Sequence, residues 1–141
     1  MSRYDATQSN ESTRSSRIYK DLNLNFEKNT VTKDVQKITD IEAVKRSVRN
    51  LINTNHYEKP FHPEIGSNLR AMLFENLTPQ MNHLISKQIE MLIKNYEPRV
   101  RVVQVNAQPS YDRNGYLATI SFYVLNHPEP VVVENFLERL R

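Results

Sequence analysis

The spacing of apolar residues changes at Pro98, and that change constrains the fold more than any other feature of the chain. Upstream, Met81, Leu84, Ile85, Ile89, Leu92, Ile93 and Tyr96 recur at three- and four-residue steps, the period of one helix face. Thr78-Pro79 is a helix start, because proline at the first helical position gives up no hydrogen bond. Pro98 disfavours α geometry at Glu97, so the helix ends there. Glu90 and Lys94 form a favourable four-residue pair on the outer face. Downstream, "RVRVVQVNAQ" and "GYLATISFYV" are strand-like, and Ala118, Ile120, Phe122 and Val124 alternate with polar neighbours. Val100 and Val102 point one way, Val103 and Val105 the other, a change of phase that a bulge near Val102–Val103 reconciles. Asn114-Gly115, between the runs, is a two-residue hairpin signal. In "VVVENFLERLR" Val131 to Val133 favour a strand, whereas the remainder fits a terminal helix or a continued strand. The expected class is α+β: three helices packed on a small antiparallel sheet containing a β-hairpin, with an extended N-terminal arm.

Two further helices precede the long one. "TDIE" is a capping box, with Thr39 accepting from the Glu42 amide and Glu42 reaching back. Ile41, Val44, Val48, Leu51 and Ile52 follow as one stripe, with Lys45, Arg46 and Arg49 off it. Those cations fit a solvated face better than a nucleic-acid surface. In "HYEKPFHPEIGS", Pro60, Pro63 and Gly66 exclude regular structure. Phe61, between the prolines, is expected to insert into the core as an anchor. Ser67 caps a short helix carrying Leu69, Met72, Leu73 and Phe74.

Residues 1–17 contain many serines, threonines and charges and almost no aliphatics, too little apolar area to offset the entropy of ordering. They form a flexible polar arm, and residues 18–141 a single domain. Ile18, Leu22, Leu24 and Phe26 lie at mainly even spacing in an extended segment suited to docking, and Val31, Val35 and Ile38 mark a short strand. With only Gly66 and Gly115, the chain cannot write a dinucleotide fingerprint or a Walker loop. Each glycine is expected where the backbone needs positive φ or close approach. The absence of cysteine excludes disulfides and thiolate metal sites. A net charge of +3, spread among acids, does not by itself imply nucleic acid, and no apolar run approaches a membrane span.

No catalytic constellation stands out. His56, His62, His83 and His127 are scattered without a metal-ligand spacing, and no metal or cofactor is expected. No G-x-S-x-G is present. Glu64, Glu75 and Glu97 could be arranged as a glycosidase pair, but sequence does not fix their separation. The reading is therefore not an enzyme. The rival classes are a nucleic-acid-binding module using Arg14, Arg17, Arg46 and Arg49, and a peptidoglycan hydrolase using Glu64 and Glu97. A small sheet with open edges and a polar arm point instead to assembly by strand addition.

In order and spacing, "YKDLNLNF", "AVKRSVRNLI", "KPFHPEIGSNLRAMLFENLTP" and "NYEPRV" resemble the baseplate wedge and sheath-initiator family of contractile phage tails, which has a counterpart in type VI secretion baseplates. The likeness runs from about Tyr19 through the hairpin. Two departures stand out: Lys59 precedes Pro60 where the family has arginine, and Ile65 precedes Gly66 where it has phenylalanine. Lysine cannot make the two-pronged contact of a guanidinium.

The resemblance implies a structural subunit of the tail baseplate, in the virion after assembly in the host cytoplasm. It implies Glu97, Pro98 and Arg99 as the element that binds the wedge core bundle, and Pro60, Phe61, Pro63 and Gly66 as a structural loop. Val131, Val132 and Val133 would face the tail sheath, whose first strands the sheet accepts. Its implied partners are wedge core-bundle proteins, the sheath protein and tail tube or hub proteins, at six copies per baseplate, with no nucleic acid and no membrane.

Overall fold

Helix packing on one face of a three-stranded sheet builds the core, and the periodicity break at Pro98 is where the two layers join. In the computed structural model, residues 19–125 and 127–139 are described. The arm expected over residues 1–17, and Ile18, lie outside them. The chain order is β1 (Lys20–Leu22), β2 (Lys37–Thr39), α1 (Asp40–Asn53), α2 (Leu69–Met72), α3 (Pro79–Tyr96), β3 (Val100–Ser110), β4 (Gly115–Val124) and β5 (Pro130–Glu138). β1 and β2 form a small antiparallel pair, and β3-β4-β5 an antiparallel sheet with β4 central.

Alternation on the strands gives the sheet a buried and an outer face. Tyr116, Ala118, Ile120, Phe122 and Val124 of β4 are buried with Val131, Val133 and Leu137 of β5. Val44, Val48 and Ile52 of α1 and Ile85, Ile89, Leu92 and Ile93 of α3 close the other side of the same cluster. Thr78 caps α3 as expected, its Oγ1 accepting from the Met81 amide at 3.2 Å. The register shift between Val102 and Gln104 is the anticipated bulge: Val105 packs against the core and Val103 is left exposed. The terminal run is a strand as far as Glu138, with Val131, Val133 and Leu137 turned inward.

Several local expectations are corrected. Thr39 is the N-cap of α1, but its side chain makes no capping bond; Glu42 is taken instead by Lys45 at 2.8 Å. The N-cap of α2 is Asn68, Ser67 reaches the Leu69 amide only at 3.4 Å, and Phe74 lies beyond the helix, exposed. Val31 is exposed in a turn, and β2 keeps only Ile38 of the three residues expected in that strand. Glu90 and Lys94 form no ion pair, and Leu84 is half exposed.

The hairpin is not a two-residue turn. Ser110 pairs with Gly115 across a loop of Tyr111 to Asn114, and Asn114 supplies the left-handed residue at φ 48°. Gly115 is instead a strand residue, where a Cβ would stand 2.4 Å from the Leu137 carbonyl oxygen. Phe61 is 97% exposed rather than a core anchor. Its φ of 65°, and the 68° of Tyr57, fold the loop so that both rings face solvent.

Candidate functional site

The turn from α3 into β3 fixes a buried carboxylate. Glu97 follows the last helical turn, its N–H still donating to Ile93 O at 2.8 Å, while Pro98 stops the helix and stays exposed. The side chain of Glu97 is only 4% exposed. Arg99 donates to it through Nε at 2.6 Å and Nη2 at 2.8 Å, and the Ser47 hydroxyl of α1 donates to the same Oε2. Burial is the largest single influence on this carboxyl and pushes its pKa up. The bonds from Arg99 and Ser47 and the attraction of Arg99 together outweigh it, and the group stays below the usual glutamate range. Arg99 is raised in turn, chiefly by its bond to Glu97. Its guanidinium also lies 5.2 Å from the Tyr19 ring centroid, tying the N-terminal segment to the same corner. The charges that flank Pro98 therefore pair with each other, within the chain.

The proline-rich loop converges on this corner. The Tyr96 hydroxyl donates to the Glu64 carbonyl at 2.8 Å, and Ser67 N donates to Thr54 O at 3.0 Å. Gly66 has φ 146°, and a Cβ there would lie 2.5 Å from the Asn55 carbonyl carbon, so the loop can close on the end of α1 only with glycine. Between loop and helices lies a cleft of about 550 Å³, with Ser47 and Asn50 on one wall, Lys59 and Pro60 on another, and Glu97 at its end. Glu97 and the loop thus belong to one end of the molecule. Pro60 and Pro63 frame the loop, with Phe61 projecting from it.

Val131 to Val133 lie elsewhere, on the outermost strand. Val131 and Val133 are core residues, and only Val132 is exposed, at 55%. What sequence reasoning missed is which backbone groups of this strand are free. Arg139 N donates to Asn114 O at 3.0 Å, which makes Gly115–Glu138 a non-hydrogen-bonded pair. Alternation puts Val132, Glu134, Phe136 and Glu138 in the same class, so their N–H and C=O groups point away from β4. None of those four amides has an acceptor among the described residues. Pro130 shares the class and has no N–H.

The opposite edge, on β3, differs. The outward N–H of Val100 donates to Glu97 O at 3.1 Å, and that of Ala107 to the Ser86 hydroxyl of α3 at 3.0 Å. Pro109 has none to offer. The outward amides of Val102 and Val105 have no acceptor among the described residues, so the β3 edge is interrupted by its own chain, whereas β5 offers four such amides in an unbroken row. The signal was in the sequence, in Pro109 and Pro130, but reading it requires the register.

Of the α1 cations, Lys45 pairs with Glu42 and Arg46 donates to Asn23 Oδ1, leaving Arg49 exposed. Among the described residues no cluster of three or more His, Asp or Glu could hold a metal ion, and no helix is long and apolar enough to cross a membrane.

Residues 39–129, which span the loop, the corner and β4, match the family model described as Baseplate wedge protein gp25. The chain belongs to the gp25 family of baseplate wedge proteins. The Baseplate wedge protein gp25 of Enterobacteria phage T4 is 35% identical over 99 residues, 70% of this chain and 75% of that protein. The fold is similar to a chain in the six-fold symmetrised baseplate of the anti-feeding prophage, at 25% identity and a TM-score of 0.68, covering 79% of this chain and 90% of that one. Two more distant likenesses concern the fold alone. One is a Geobacter sulfurreducens protein described as a tail lysozyme, at 22% identity and a TM-score of 0.59 over 69% and 90% of the two chains. The other lies in the baseplate complex of a type VI secretion system, at 16% identity and 0.53 over 70% and 93%. This gp25-family chain is a structural baseplate component of a contractile phage tail and is associated with the virion.

Proposed function

We propose that this chain docks on the wedge core bundle through the Glu97–Pro98–Arg99 corner and starts the tail sheath by accepting a sheath strand along β5. The observation that carries the second half is the row of outward N–H groups on Val132, Glu134, Phe136 and Glu138, which have no acceptor among the described residues. Such an edge binds an extended segment through main-chain hydrogen bonds. The corner supports the first half: Arg99 is half-buried and held by two bonds to Glu97, so its remaining donors meet a partner with little side-chain freedom left to lose. Six copies per baseplate follow from tail symmetry, with assembly in the host cytoplasm.

The protein acts by binding. A glycosidase acid needs a carboxyl raised toward neutrality. Glu64 is lowered instead, mainly by its own backbone amide and then by His62, and Glu97 is held ionised by Arg99 and Ser47.

Val132→Pro tests the acceptor edge. The N–H it removes points outward, so no bond within the sheet is lost. Baseplates carrying it are expected to form normally and to fail in sheath assembly. Full-length sheath on those baseplates would overturn the acceptor reading.

A further inference from the structure

We infer that the strand accepted by β5 is basic along one face and carries an apolar residue on the other, and that the acidic edge prevents pairing with a second copy. This inference rests on β5 being the acceptor edge and adds the chemistry of what it accepts. The four outward-facing residues, Val132, Glu134, Phe136 and Glu138, span about seven residues, so a strand of that length uses every free rung.

Directly opposed residues share a sheet face. Glu134 and Glu138 are exposed, lie in register with Thr119 and Gly115, and form no ion pair among the described residues; the Arg113 guanidinium lies 4.0 Å from the Phe136 ring between them. Residues of the incoming strand opposite them therefore meet two carboxylates four positions apart on the outer face. Basic side chains at those positions are favoured, and acidic ones are repelled.

The intervening residues of the incoming strand point to the helix side. There, beside the second half of β5, lies a groove of about 270 Å³ where Ile52, Leu69, Leu73 and Leu137 line an apolar part, and Asn53, Asn55 and Arg70 a polar one. One apolar side chain opposite the Asn135–Leu137 stretch enters it. Counted along β5, the resulting pattern has lysine or arginine at i and i+4 and an apolar residue at i+3, opposite Leu137; the i+1 position meets Asn135, which is bonded to Asn53 at 3.1 Å.

Two β5 strands pairing with each other antiparallel about Phe136 would set Glu134 against Glu138 twice. Like charges directly opposed destabilise a strand pair. The edge that attracts a basic strand is thus poorly suited to its own kind.

The test titrates the full chain with fluorescent nine-residue peptides: valine and leucine at alternate positions, and lysine at two positions four apart. A second peptide carries glutamate at those positions, and a third is the lysine peptide N-methylated on alternate amides. The lysine peptide is expected to bind roughly tenfold tighter than the glutamate peptide, since two cross-strand pairs change sign. Glu134→Lys/Glu138→Lys is expected to reverse that preference, and N-methylation to abolish binding. Equal binding of the two charged peptides, or a preference unmoved by the double variant, overturns the inference. If both bind equally yet N-methylation abolishes both, strand acceptance stands and its charge selectivity falls. Binding insensitive to N-methylation overturns acceptance itself.

Discussion

Arg99→Ala would strand a carboxylate in the interior. Glu97 is 4% exposed and holds three side-chain hydrogen bonds, two from Arg99 and one from Ser47. The substitution removes two of them along with the compensating charge. Breaking a buried ion pair from one side costs about 3–5 kcal/mol. The side chain of Arg99 is itself 30% exposed. Water can reach the site, and the loss is nearer ~2–3 kcal/mol. For a chain of this size that lowers Tm by roughly 6–10 °C and leaves it folded at 25 °C.

The sign of the pH dependence sharpens the test. In the wild type the folded-state pKa of Glu97 lies below its unfolded value. The pair's contribution is therefore fully present above the ordinary glutamate range and is lost as pH falls through the lowered folded value. Without Arg99, burial remains, raises the pKa and makes the folded state the better proton acceptor. The deficit of Arg99→Ala should then shrink on acidification from pH 7 toward 4.5. Urea denaturation at the two pH values reads this directly. A deficit under about 0.5 kcal/mol at pH 7, within the ordinary scatter of surface substitutions, would refute the buried-pair account, as would a deficit that grows with acid. Glu97→Gln/Arg99→Met, which removes both charges and keeps much of the volume, should recover most of the stability. If that double variant still fails to join the wedge, the corner docks as well as folds; if it joins normally, docking lies elsewhere.

Two substitutions in the proline-rich loop probe its strain. Gly66→Ala meets both a positive φ of 146° and Asn55 backbone atoms at 2.5 and 2.6 Å, and should destabilise by roughly 3 kcal/mol or more in thermal melts. Phe61→Gly removes a ring that is 97% exposed from a left-handed residue at φ 65°, and should leave stability unchanged or raise it by about 1 kcal/mol. A loss of ~3–5 kcal/mol on Phe61→Gly would instead mark a core anchor.

The helices and sheet were legible because their signals are periodic and long: the stripes from Ile41 to Ile52 and from Met81 to Tyr96, and the alternation from Ala118 to Val124, each repeat across several turns or residues. The bulge was legible for the same reason, as a break in phase at Val102–Val103. The misses rest on one or two residues whose neighbours are distant in sequence. Gly115 reads as a turn residue until Leu137 O is found against it, and Phe61 reads as core until the loop's left-handed residues turn it outward. Glu97 and Arg99 were legible as a special pair, but Ser47, fifty residues upstream, has no local signal as their third member.

The asymmetry between the sheet's edges bears on how a template can work. A sheet open on both sides would grow from either edge and could chain onto further copies of itself. Here α3 lies along β3 with Ser86 bound to Ala107 N, Glu97 takes the Val100 amide, and Pro109 offers no donor. Under the proposed strand addition, β5 is the better acceptor, since its free donors run unbroken from Val132 to Glu138 while those of β3 are interrupted. The residue that bonds Arg99 at the proposed docking corner also fills a rung on the β3 edge, so the interrupted edge and the proposed wedge contact lie on the same side of the sheet.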